Sequence, residues 1–154
     1  MARVDAIVAG RRMRQTEDMT AYALTRLRRL CLALPEVEER ISHGEPAWFV
    51  RGKRLFVTFA DRHHDERVAC WCAAAPGVQE ALVRGHPERF FRPPYVGHRG
   101  WVGVILEPAV DWDEVAELVV DAYLAVAPAR LAASVQGVGR EVQAAVVRDG
   151  GDDV

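Results

Sequence analysis

Three short stretches of this sequence hold residue types that could do chemistry, and a fourth could touch a partner. Cys70-Trp71-Cys72 sets two thiols two residues apart, which on a strand puts both on one face and the indole on the other. Such a pair could begin a soft-metal site, but a closed site needs two further ligands, and the chain has no second CxC or CxxC. The pattern favours buried apolar thiols. His63-His64-Asp65 offers a ligand pair inside a polar, turn-forming run, without the ligand count that fixes a metal. His43 and Glu45, in "SHGEPAW", could exchange a proton, yet no nucleophile or oxyanion donor is recognisable near them, and Gly44 with Pro46 reads as a bend. There is no P-loop, no GxGxxG after a strand, no GxSxG and no HExxH. The expectation is a protein with no catalytic residue, no metal and no cofactor.

The fourth stretch is different in kind. Arg84, His86, Arg89, Arg92, His98 and Arg99 are interleaved with Phe90, Phe91, Tyr95 and Trp101. Guanidinium groups fork onto phosphates and aromatic rings stack on bases. The same residues also suit a strand pair whose rings are core and whose arginines form a solvated rim.

Length and charge limit what can position these residues. A chain of 154 residues, 50% hydrophobic and 27% charged, builds one domain with a real core. No apolar run approaches the ~20 residues of a membrane span. The N-terminal residues lack the apolar region of a secretory signal, and three cysteines fit as free thiols, so a cytoplasmic protein is expected. The net charge of −2 hides an uneven distribution. Residues 1–34 hold seven Arg against three acids, residues 51–99 nine Lys or Arg against five, and residues 100–128 six acids with no Lys or Arg. That asymmetry permits an anionic partner with little long-range steering.

A first helix is expected within residues 16–34, capped by Thr16, with Met19, Ala23, Leu27, Leu30 and Leu34 at helical spacing and Pro35 beyond its end. "ISHGEPAWFV" and "RLFVTFA" read as strands joined by "RGK", and "VACWCAA" as a third. A short helix follows Pro76 and stops at Gly85. Two more strands flank "GHRG", and a last helix starts at the capping box Asp111 to Glu114 and ends before Pro128. Clustered strands with hairpin-length links give a two-layer α+β fold of order αβββαββα, an antiparallel sheet with helices packed on it. Residues 1–133 form the expected domain and 134–154 an extension with a weak helix and an acidic end.

"SHGEPAWFVRGKRLFVTF", "HHDERVACWCAAAPGVQEALV", "PERFFRPPYVGHRGWVGVIL" and "DWDEVAELVVDAYLAVAPARLAA" closely resemble the MmcQ/YjbR family of small bacterial proteins, in order, over roughly Leu27 to Ala133. The resemblance implies a secretion-chaperone-like α+β fold and a non-enzymatic, DNA-binding role through a "double wing" of projecting loops. Carried onto this chain, one wing is the loop Asp61–Arg67 with Arg62, His63, His64 and Arg67. The other is the hairpin Tyr95–Trp101 with His98 and Arg99, and Arg92 at its base. These residues would contact the phosphates of duplex DNA and give position more than base readout. Two rival readings stay open. One is a protein- or peptide-binding module of the secretion-chaperone type. The other is a small-ligand pocket lined by Trp48, Trp71, Tyr95 and Trp101.

Overall fold

The computed structural model describes residues 2–62 and 66–136. Helix α1 spans Ala2–Leu32 and starts well before Thr16. Residues 2–15 hold no proline, and Gly10, the weakest helix former among them, costs about 1 kcal/mol, which does not stop propagation. Thr16 is therefore no cap: its hydroxyl donates to the Arg12 carbonyl one turn back at 2.8 Å. Only Ala23, Leu27 and Cys31 of this helix are buried.

Six strands follow in one antiparallel sheet: β1 (Val37–Ser42), β2 (Glu45–Val50), β3 (Arg54–Asp61), β4 (Val68–Cys72), β5 (Phe90–Phe91) and β6 (Val102–Ile105). Their spatial order is β1-β2-β3-β4-β6-β5. The α+β class is the expected one, with a strand more than periodicity counts. The stretch "ISHGEPAWFV" is split by His43 (φ 51°) and Gly44 (φ 82°), both left-handed, between the paired residues Ser42 and Glu45. That is the two-residue hairpin turn whose twist matches the sheet. Helix α2 (Val78–Gly85) carries the chain from β4 across β6 to β5.

Helix α3 (Trp112–Val126) is capped by Asp111, whose Oδ1 accepts from the backbone N–H of Asp113 and Glu114 at 3.1 and 3.2 Å. Glu114 does not close the box back onto Asp111; its carboxylate takes the Arg89 guanidinium instead. Residues 129–136 are helical again and bring Leu131 and Val135 into the core. The rest of the expected extension lies outside the described residues.

The core sits between α1, α3 and the inner sheet face. Cross-strand rows Trp48–Val57–Cys72–Val102 and Phe59–Cys70–Val104–Phe90 make that face. A bulge between Trp48 and Phe49 brings Phe56 to the edge of the Tyr123 ring on α3, with centroids 5.7 Å apart. Cys70 and Cys72 stand side by side, Sγ to Sγ 3.7 Å, and both are buried as the apolar reading requires. The hydrogen bond between them, together with burial, pushes the Cys70 thiol well above the ordinary range, and burial does the same to Cys31. Glu39, on the inner face, accepts from two donors, the Trp48 indole at 2.9 Å and the Arg28 guanidinium at 2.8 Å.

Candidate nucleic-acid interface

The chain leaves β5 at Arg92 and rejoins the sheet at Val102, and between them it does not extend as a hairpin. Pro93 and Pro94 can donate no ladder hydrogen bond, so β5 stops after two residues. Gly97–Arg99 then forms a 3-10 turn closed by Gly100 at φ 83°. What holds this loop is Gln79, the single buried polar side chain among the described residues, 7% exposed. Its amide Nε2 donates to the carbonyls of Gly97, at 2.9 Å, and of Trp101. Arg92 lies against Gly97 so closely that a Cβ there would stand 2.6 Å from its Cγ. Trp101 is buried and Arg99 reaches over its ring, Cζ to centroid 5.8 Å. Arg92, His98 and Arg99 remain exposed on a loop fixed from beneath.

Strand register decides which basic loops meet. Val50, Arg54, Cys72 and Val102 lie at one end of the sheet, and Ser42, Asp61, Val68 and Ile105 at the other. The 92–101 loop leaves from the first end and the 62–67 loop from the second, so the structure does not bring the two expected wings together. Arg62 is engaged by Asp61 at 2.7 Å and Glu107 at 3.7 Å. Arg67 lies over the Phe91 ring on the outer sheet face, 4.6 Å from its centroid. His63 and His64 are outside the described residues.

A different basic turn shares the end with Arg92, His98 and Arg99. It is the β2–β3 connection, with Arg51, Lys53 and Arg54. Arg51 makes a loose pair with Glu36 at 3.4 Å, and Arg54 donates to the Val126 carbonyl at the C-terminus of α3. Lys53 is exposed and forms no ion pair among the described residues. The two turns are separated by three strand spacings, about 14 Å. The signal was present in the sequence as "RGKR", but its three cations read only as a turn between strands.

Charge is polarised along the sheet. The first end carries Arg51, Lys53, Arg54, Arg92, Arg99 and His98 against Glu36, Glu38 and Glu80. The second collects Glu17, Glu45, Asp61, Glu88 and Glu107, and also the first turn of α3 with Asp111, Asp113 and Glu114, against Arg62, Arg67 and Arg89. Two shallow clefts, of about 300 and 220 Å³, open at this acidic end. Neither is the expected aromatic pocket. Trp48 belongs to the inner face and Trp71 to the outer, Trp101 is buried under its loop, and Tyr95 is 73% exposed, so the four rings line no common cavity. Among the described residues no group of three or more His, Cys, Asp or Glu could hold a metal, and no helix is long and apolar enough to cross a membrane.

Small α+β domains of this architecture are known from a solved structure. The crystal structure of the Deinococcus radiodurans protein DR2400, whose domain is described as DUF419, matches with a TM-score of 0.57 at 21% identity, over 67% of this chain and 77% of that one. At that identity the likeness shows the shared fold alone. The family is shown by the sequence: the model described as YjbR matches residues 32–125, more than half of the chain, which therefore belongs to the YjbR family. No curated protein matches it.

Proposed function

We propose that this protein binds duplex DNA without catalysing a reaction, and that it does so through the basic end of its sheet. The observation that carries the reading is the convergence of two basic turns, Arg51–Arg54 and Arg92–Arg99, on one end while the acids of the first turn of α3, Asp113 and Glu114, and its cap Asp111 lie at the other. Their separation of about 14 Å is close to the ~12 Å width of a major groove, so each turn would meet phosphates on one side of it. Lys53, Arg92, His98 and Arg99 would be the contacts, giving position and little base readout. Arg62 sits among acids and Arg67 on a ring, so neither belongs to the proposed interface.

The test is fluorescence anisotropy with a labelled duplex over a range of salt. Each phosphate contact removed flattens the slope of log K against log salt by about 0.9. Lys53→Ala, Arg92→Ala and Arg99→Ala combined should therefore weaken binding and flatten that slope by roughly 3. Arg62→Ala should leave both unchanged. No detectable binding at low salt, or a triple variant that binds like the unaltered protein, would refute the reading.

A further inference from the structure

Residues 2–15 of α1 have no partner in the fold. None of them is buried, and Val4, Ile7 and Val8 are 63%, 57% and 44% exposed. These residues propagate from the packed half of α1, but Gly10 and the β-branched residues weaken them, so cover from a partner would stabilise the segment. Arg3, Ile7, Arg11 and Arg14 recur at i, i+4, i+8 and i+11 on one stripe, with Val4 and Val8 beside it. Arg3, Arg11 and Arg14 form no ion pair among the described residues. The segment lies N-terminal to the region that defines the family.

Its complement is on α3. Asp113, Glu117 and Asp121 repeat at i, i+4 and i+8 along the exposed face of that helix, with Ala116 and Val120 half-buried beside them. The Asp113 and Asp121 carboxylates have no ion-pair partner among the described residues, and partial burial raises the pKa of Asp121. Arg3 to Arg11 and Asp113 to Asp121 span the same distance, about 12 Å at the helical rise. The arm cannot reach its own α3. Tyr22 meets Trp112 edge to face at 6.4 Å, and from that level α3 runs toward the basic end while the arm runs past the acidic one. Arg3 lies about 28 Å beyond Tyr22.

We infer that residues 2–15 are a dimerisation arm that lies antiparallel along α3 of a second copy, Arg3 facing Asp121 and Arg11 facing Asp113. The same register sets Val4 against Val120 and Val8 against Ala116. A two-fold axis makes the contact reciprocal, each copy giving an arm and receiving one. Nucleic acid is the poorer occupant. A duplex at the basic end would have to pass Glu45, Asp61 and Glu107 to reach the arm.

Light scattering on the full chain at about 100 μM, where an interface of micromolar Kd is filled, should give twice the monomer mass. Arg3→Glu with Arg11→Glu should halve that mass, and so should Asp113→Arg with Asp121→Arg. Mixing the two variants should restore a heterodimer, because the swap re-pairs both contacts. Circular dichroism checks that each variant keeps its helices. An unaltered protein that is monomeric, or charge variants that stay dimeric, overturns the proposal. So does a monomer whose arm variant loses only DNA affinity, which would make the arm a nucleic-acid contact.

Discussion

Gln79→Leu should loosen the 92–101 loop and destabilise the whole domain. The leucine keeps the volume and helix propensity of the native residue but removes the amide that serves the carbonyls of Gly97 and Trp101. A buried acceptor left without its donor costs about 1–3 kcal/mol, so two of them should cost roughly 2–4 kcal/mol after partial relief by water. For a domain of this size that is a fall in Tm of roughly 6–12 °C. Urea denaturation followed by tryptophan fluorescence gives the free energy, and hydrogen exchange tells where it is lost. The amides of Arg99 and Gly100, which donate to Val96 and Gly97 at 3.0 and 3.1 Å, should exchange well ahead of the β4–β6 ladder. A loss below about 0.5 kcal/mol, the range of an ordinary surface change, would mean that Gln79 does not hold the loop.

Gln79→Glu sharpens the same test through pH. A carboxylate at this position faces two carbonyl oxygens and no donor, so its ionised form is disfavoured in the fold and its pKa rises above the unfolded value. The folded state then keeps the proton to higher pH. Stability of this variant is fully present below the unfolded carboxyl pKa and is lost as pH rises through the raised folded one. The opposite trend at this position contradicts the geometry.

Three further predictions concern the sheet and the thiols packed in the core. At Gly103 a Cβ would fall 2.4 Å from Cζ of Phe91, with two more ring atoms within 2.6 Å, so Gly103→Ala should cost about 1–3 kcal/mol as the ring is driven off. Adding Phe91→Leu should return part of that loss, and a single variant as stable as the native protein in urea would refute the close approach. Cys31, Cys70 and Cys72 are all buried, so a thiol reagent should modify them only as fast as the chain opens; burst labelling of the native protein would contradict this. Because the Cys31 and Cys70 pKa values are raised in the fold, stability from these thiols is intact below the ordinary thiol pKa and declines as pH rises beyond it. Cys70→Ala should flatten that alkaline decline.

How much of this was legible in the sequence depended on whether the signal was local. Periodicity located α3 and its Asp111 cap, and alternation in "VACWC" separated the thiols from Trp71, because each pattern reports one element's own exposed and buried faces. The β1 strand escaped because "VEERIS" is an edge strand with mostly polar residues, and its boundary is a turn whose left-handed residues only pairing reveals. Helix α1 was cut short because Thr16 resembles a cap, and nothing local distinguishes a capping threonine from one that bonds back along a longer helix. Gln79 carried no signal at all, since a glutamine in an amphipathic helix reads as surface. The placement of the two basic loops at opposite ends was hidden for a further reason. Which loops share an end of the sheet is fixed by strand order, and the crossover of α2 over β6 set the 92–101 loop beside "RGKR" and away from Arg62.

That crossover also gives the small net charge its meaning. A total of −2 suggests a weak field, yet it sums a basic end, a more strongly acidic end and an arginine-bearing N-terminal arm. Such a molecule orients in a field even where it is barely attracted, and its basic end would lead toward phosphate. The proposed arm uses the other end. A two-fold axis that lays each arm along the α3 of a second copy turns the two sheets end over end, so the acidic ends meet and the basic ends point outward in opposite directions. Summing two α3 lengths and the gap of about 15 Å between them separates those ends by roughly 60 Å, several times the width of any groove. Both could not grip neighbouring grooves on one straight duplex. Taken together, the proposed interface and the proposed arm would make a dimer that holds two segments of nucleic acid apart, and not one that clamps a single site.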